Sequence, residues 1–166
     1  MKWRSCRLSA AAKMQIAVPA DVRLLDAGLE PSAALAAFSA VHTASGGIAS
    51  FSGQVRPDEA VEALELSHYE PLTLPEMERL VGVALERWPL DGVLAWHRVG
   101  QMVLGDPIVL VAAASKHRRD AIEAVDFLMD HLKSAAWFWK REKRADGWHW
   151  IEPRDADYAD RARWTD

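Results

Sequence analysis

The chain has 166 residues, half of them hydrophobic and 27% charged, with a net charge of −4. That is the size and balance of one globular domain, too short for two cores, too apolar for disorder and without the run of ~20 apolar residues needed to span a bilayer. A single cysteine, Cys6, excludes an internal disulfide framework, and together with the missing apolar leader points to a cytoplasmic location.

In chain order, residues 1–13 carry Lys2, Arg4, Arg7 and Lys13 and read as a tail. Lys13 interrupts any signal-peptide core. A short apolar strand begins at Met14–Val18. Pro31–Ala44 is alanine-rich and predicts a helix, with Leu35, Phe38 and Val41 spaced about three apart and Gly46-Gly47 as its stop. Gly47–Val55 alternates as a strand, and Ala60–Tyr69 as a further one beyond the Pro57-Asp58 turn. Thr73–Trp88 predicts a helix, Thr73 capping it with Glu76 three residues on, Pro75 in the first turn and Pro89 beyond the end. Strands follow at Gly92–Val99 and Pro107–Ala114. The second is continuously apolar, as expected of a central strand buried on both faces.

His117–Ser134 is the longest helical pattern, with a stripe of Ala121, Ala124, Val125, Leu128, Met129 and Leu132. Trp137–Arg144 and Trp148–Glu152 flank Ala145-Asp146-Gly147, a hairpin signal. The segment after Pro153 is charged and weakly helical. The fold class is therefore α+β: one domain, a mixed or antiparallel sheet with packed helices and a C-terminal β-hairpin. The domain proper runs over 14–152, with 1–13 as a tail or upstream start and 153–166 as a charged C-terminal tail.

Charge is distributed unevenly. Between Lys116 and Arg144 eight Lys/Arg face five acids, a local excess of +3 in an acidic chain. Such a patch fits a pocket for a small anion better than a nucleic-acid surface, although a solvated helix face explains the charge equally well. Cys6 has no element to hold a base beside it and is a poor nucleophile. The six histidines lack metal-ligand spacing, so neither metal nor cofactor is expected.

Four groups stand out. Gln54-Val55-Arg56 ends a strand in an arginine able to clamp a phosphate; a surface arginine at a turn is the plainer alternative. Ser115-Lys116-His117-Arg118-Arg119 leads into the long helix. Cations there oppose the helix dipole, so an anion site explains them better than folding does. Lys133 in that helix's last turn is favourable on dipole grounds alone. Lys140-Arg141-Glu142 places a lysine beside a carboxylate in an aromatic strand, either for acid/base work or as an ordinary ion pair.

Taken together, Phe51-Ser-Gly-Gln-Val-Arg56, His97-Arg98-Val-Gly100, Gly105-Asp106, Lys116-His117-Arg118, Met129-Asp-His-Leu-Lys133 and Phe138-Trp-Lys-Arg-Glu142 resemble the molybdopterin synthase catalytic subunit family in order and spacing, from about Met14 to Glu152. The resemblance implies an α/β-hammerhead-like fold and a sulfurtransferase of molybdenum cofactor biosynthesis. It further implies cyclic pyranopterin monophosphate as substrate, sulfur delivered as a thiocarboxylate on the Gly-Gly tail of a small ubiquitin-like subunit, and a homodimer of this chain within a heterotetramer. Neither nucleic acid nor membrane is an expected partner. Lys133 and Lys140 then match catalytic lysines. Gln54, Val55, Arg56, His117, Arg118, Lys133, Lys140, Arg141 and Glu142 match substrate-binding positions. His97-Arg98 takes a structural role. The chain departs from the family in three places: Trp137 replaces the usual proline, the Pro57–Ala60 loop is a few residues short, and residues 1–13 have no counterpart.

One inference is geometric. His117 and Lys133 are sixteen residues apart, roughly 24 Å along an unbroken helix at ~1.5 Å per residue. If both serve one small substrate, they come from different protomers. The rival functions are a non-catalytic module binding single-stranded nucleic acid through Trp137, Trp139, Trp148 and Trp150, which the acidic net charge disfavours, and an inactive scaffold paralogue.

Overall fold

The computed structural model describes residues 19–56, 61–135 and 137–164. The N-terminal tail with Cys6, the strand expected at Met14–Val18 and the shortened loop at 57–60 lie outside these residues. The described elements are β1 (Ala20–Leu25), α1 (Pro31–Val41), β2 (Gly47–Gln54), β3 (Ala63–His68), α2 (Glu70–Arg87), β4 (Leu90–Arg98), β5 (Gly100–Val103), β6 (Pro107–Ser115), α3 (Arg118–Lys133), β7 (Phe138–Arg144), β8 (Gly147–Ile151) and α4 (Asp155–Ala162). No described helix is long and apolar enough to cross a membrane.

The α+β expectation holds, but the strands divide between two four-stranded sheets. Sheet A has the order β1-β4-β6-β2, mixed because β1 runs parallel to β4. Sheet B has the order β5-β3-β7-β8 and is antiparallel throughout. The apolar run of β6 does lie between two strands, β4 and β2. Its side chains alternate: Val109, Val111 and Ala113 join the core under α2 and α3, while Leu110, Ala112 and Ala114 join a second core under α1. Both faces are covered by helices, so an unbroken apolar sequence is required. The α1 helix stops at Val41, before Gly46-Gly47, and Val41 itself is exposed. Those glycines serve a different need. A Cβ on Gly46 would collide with the Lys116 carbonyl, and one on Gly47 would crowd the Arg118 backbone, so their absence lets the turn into α3 lie against the start of β2.

The α2 helix starts three residues earlier than expected. Tyr69 occupies the N-cap position, Pro71 the first turn, and Thr73 makes no capping box with Glu76. Instead Thr73 is fully buried and its hydroxyl donates back to the Tyr69 carbonyl at 3.0 Å, within 3.3 Å of the Trp137 carbonyl. Pro71 lacks an N–H and suits the first turn, which draws the start forward and leaves Pro75 inside the helix. The short β5 is an element the sequence pattern did not reveal. The chain passes from sheet A into sheet B at Gly100, whose φ of +81° a side chain would oppose.

The α3 stripe is buried as expected, with Phe127 added and Met129 only half-buried. The hairpin also forms, with Arg144 opposite Gly147 across a two-residue turn. The stretch after Pro153 is not merely a charged tail. It carries α4, and Trp164 just beyond that helix meets Trp88 and Phe127 edge-on.

Candidate active site

The α3 helix, at 16 residues shorter than the 18-residue α2 and so not the longest as the pattern suggested, presents two different ends. At its N-terminus, buried Ser115 donates its hydroxyl to the Pro89 carbonyl at 2.9 Å and accepts the His117 N–H at 3.3 Å. His117 rather than Ser115 stands at the N-cap, without a side-chain cap. Lys116, His117, Arg118 and Arg119 are all exposed. Arg119 lies 3.8 Å from Glu123, whereas His117 and Arg118 have no carboxylate at ion-pairing distance among the described residues. An unpaired guanidinium and an exposed imidazole beside free helix N–H groups make an anion-attracting corner.

At the other end, Lys133 is the last helical residue. Its ammonium lies 3.5 Å from Oδ1 of Asp157 on α4, and its side chain remains 58% exposed. A groove of about 570 Å³ opens here, its lining including Phe51 of β2, Met129 and Lys133 of α3, and Asp157.

On β7, alternation sorts the charges by face. Lys140 lies 3.1 Å from Glu142, which is also 3.2 Å from Arg144. Partial burial would raise the Glu142 carboxyl, but hydrogen bonds from Lys140 and Arg144, reinforced by their charges, hold it below the ordinary value. Arg141 points to the opposite face. Its Nε and Nη2 donate to Glu65 at 2.9 and 2.7 Å, and its guanidinium lies over Trp148 at 4.6 Å and near Trp150 at 5.7 Å. Through these contacts the guanidinium ties β7 to β3 and β8.

The end of β2 reaches the Lys140 face through a small core. Val55 is buried with Leu64, Leu66 and Met102, and Leu64 and Leu66 are the cross-strand partners of Glu142 and Lys140. Val55 exchanges backbone bonds with the Gly105–Asp106 turn, donating to Asp106 and accepting from Gly105. It therefore anchors the strand end through packing, leaving its neighbours Gln54 and Arg56 exposed. Lys140 and Glu142 thus share a face of sheet B with that small core, Arg141 lies on the other face, and Gln54 and Arg56 flank the buried Val55 at the end of β2. His117 and Arg118 are not brought there within one chain. The α3 helix is unbroken across its 16 residues, so the separation of roughly 24 Å stands.

His97 is buried and stacked on Phe138 at 4.3 Å, with Nδ1 2.8 Å from the Arg98 carbonyl. Burial lowers its pKa to about 4, partly offset by that backbone bond, so the ring is neutral at pH 7. Arg98 lies 3.4 Å from Asp106. Trp137, the departure from the family's proline, is buried and offers its carbonyl to Thr73, which fixes the approach to Lys140. Asp157 was not among the expected site residues; its signal was the Arg154-to-Asp157 spacing, an acid at the third position of a helix. No three His, Cys, Asp or Glu side chains converge as metal ligands among the described residues.

Residues 25–135 match the family described as MoaE protein. The molybdopterin synthase catalytic subunit of Mesorhizobium japonicum is 42% identical over 154 residues, covering 91% of this chain and 97% of that protein. Among solved structures, the molybdopterin biosynthesis MoaE protein from Burkholderia ambifaria superposes with a TM-score of 0.73 at 39% identity, over 87% of this chain and 97% of that one. A chain of the complex of subunits 1 and 2 of molybdopterin-converting factor from Helicobacter pylori shares the fold at a TM-score of 0.70 and 21% identity, over 80% and 91%.

Proposed function

The chain belongs to the MoaE family of molybdopterin synthase catalytic subunits, and on that premise we propose which of its residues do the chemistry. It is a sulfurtransferase of molybdenum cofactor biosynthesis, converting cyclic pyranopterin monophosphate to the molybdopterin dithiolene. Its sulfur arrives as a thiocarboxylate on the C-terminus of a small ubiquitin-like subunit; the H. pylori converting factor is likewise a complex of two subunits. The nucleophile is imported, so the chain needs cations rather than a thiol.

One observation carries the assignment of roles. Lys133 and Lys140 are both partly exposed, lie seven positions apart around the end of α3, and each faces a carboxylate, at 3.5 and 3.1 Å. In this reading they neutralise oxyanion charge that develops as the thiocarboxylate reacts, and move protons to and from the reacting centre. Glu142 orients Lys140. Gln54 and Arg56 reach the substrate from the end of β2, while Val55 and Arg141 hold that end and β7 in place. His117 and Arg118 bind phosphate from a second protomer, because one helix cannot bring both its ends to one small molecule. In this reading the synthase domain spans 14–152, with α4 and Trp164 packed onto it. A cytoplasmic location belongs to it too, and fractionation of tagged cells tests that point.

The decisive assay combines purified protein, thiocarboxylated small subunit and cyclic pyranopterin monophosphate. Dithiolene product is expected from the unaltered chain, and its absence would sink the reading. Lys133→Ala is expected to lose activity by about 10²-fold or more with its fold intact. Mixing His117→Ala and Lys133→Ala chains should restore about one working site per mixed dimer; verified mixed dimers without activity would refute the shared site.

A further inference from the structure

The C-terminal helix lies beyond residues 25–135 that match the family, yet it carries an acid facing a proposed catalytic lysine. Asp157 is 6% exposed, and its carboxylate is fixed on both oxygens. Oδ2 accepts the Arg154 backbone N–H at 2.9 Å and Nε at 3.3 Å, while Oδ1 accepts Arg154 Nη2 at 3.1 Å and faces the Lys133 ammonium at 3.5 Å. The helix bearing it is docked along the last turns of α3. Arg161 donates to the Ser134 carbonyl at 3.3 Å, and Arg163 pairs with Asp126 and Asp130 at 2.8 and 2.7 Å. Trp164 donates to Asp130 at 2.7 Å. The acid is thus the rigid member of the pair and the lysine the mobile one.

We propose that Asp157 is a positioning residue for Lys133, holding its ammonium at the mouth of the groove between β2, α3 and α4 in the orientation that meets the incoming thiocarboxylate. This rests on reading Lys133 as catalytic. The hydrogen bond from Arg154 is the main cause holding the Asp157 carboxyl down to about 2, with burial opposing it and the Lys133 charge assisting. The carboxylate is therefore an anion at any working pH. The 3.5 Å separation exceeds that of a tight charge-assisted hydrogen bond, and Lys133 remains largely exposed, so the ammonium is oriented while keeping N–H donors for a second oxyanion. Limiting the rotamers of a long flexible side chain before substrate arrives is a source of rate.

Trace acetylation of the lysines, read by peptide mass mapping, tests the pair without any turnover. In the unaltered chain Lys133 should acetylate more slowly than Lys116, which is exposed and has no carboxylate at ion-pairing distance among the described residues. Equal rates would overturn the proposal without any variant. In Asp157→Asn, Lys133 should label several-fold faster, and kcat should fall about tenfold with KM for the pterin substrate little changed. Asp157→Glu, which keeps the charge, should recover most of both. Leu94→Ala opens the separate core under α1, away from α3 and α4, and should lower the melting temperature while leaving Lys133 protected. Unchanged labelling in Asp157→Asn, or equal deprotection in Leu94→Ala, would refute the positioning role. An unaltered chain without activity but with Lys133 protected would instead count against the functional reading alone.

Discussion

Sheets A and B each have four strands but handle charge in opposite ways. The inner strands of sheet A are covered on both faces, and Val93, Val111, Ala112 and Ala113 have no measurable exposure. Nothing charged can sit there without losing its hydration. The inner strands of sheet B instead carry Lys140, Glu142 and Arg144 on one side and the Arg141–Glu65 pair on the other. Sheet A is a dry frame, whereas sheet B carries paired charges on both of its faces. The two meet at His97, which belongs to β4 of sheet A and stacks on Phe138 of β7 in sheet B. Charge placed at the rim of a dry frame keeps its geometry while staying open to solvent.

The comparison is broken most sharply from the sheet B side. Lys140→Ala is expected to lower turnover about 10³-fold, ~4 kcal/mol in the barrier, with thermal stability nearly unchanged because the side chain is part-exposed. An equal loss in melting temperature and activity would deny the division. From the frame side, Leu128→Ala removes a fully buried side chain from the core beneath α3 and should cost about 3–4 kcal/mol in urea unfolding. Protein that remains folded should keep its activity.

The seam gives the smallest effect, and a pH signature. His97 titrates at about 4 when folded, against an ordinary value of 6.5. Above 6.5 the ring is neutral folded or unfolded, and contributes nothing to pH dependence. Between 6.5 and 4 only the unfolded chain takes up the proton, so stability falls as pH falls through this window, by roughly 2–3 kcal/mol. His97→Gln should flatten that slope in denaturant titrations at pH 7 and pH 4; an unchanged slope would place the effect elsewhere.

Local signals were read well where one force acts alone. The continuous apolar run of β6 and the stripe of α3 record burial directly. The Asp-Gly hairpin and Pro89 as the end of α2 record backbone stereochemistry. Errors arose where two local signals competed. Thr73 with Glu76 made a plausible capping box, but Pro71 had a better claim to the first turn and a buried position took the threonine hydroxyl. The glycine pair after α1 read as a helix stop because a close approach from Lys116, seventy residues on, leaves no local trace.

The candidate site follows the same division. The sequence determined which residues carry charge, that β7 presents Lys140 and Glu142 together and Arg141 apart, and that the ends of α3 are too distant to serve one substrate. Periodicity and helical rise settle those matters without knowing the fold. Only the tertiary structure decided that the Val55 side chain is buried, that Arg141 pairs with Glu65, and that Asp157 stands beside Lys133. Each of these joins segments distant in the chain, and packing between elements leaves no period in the sequence to read.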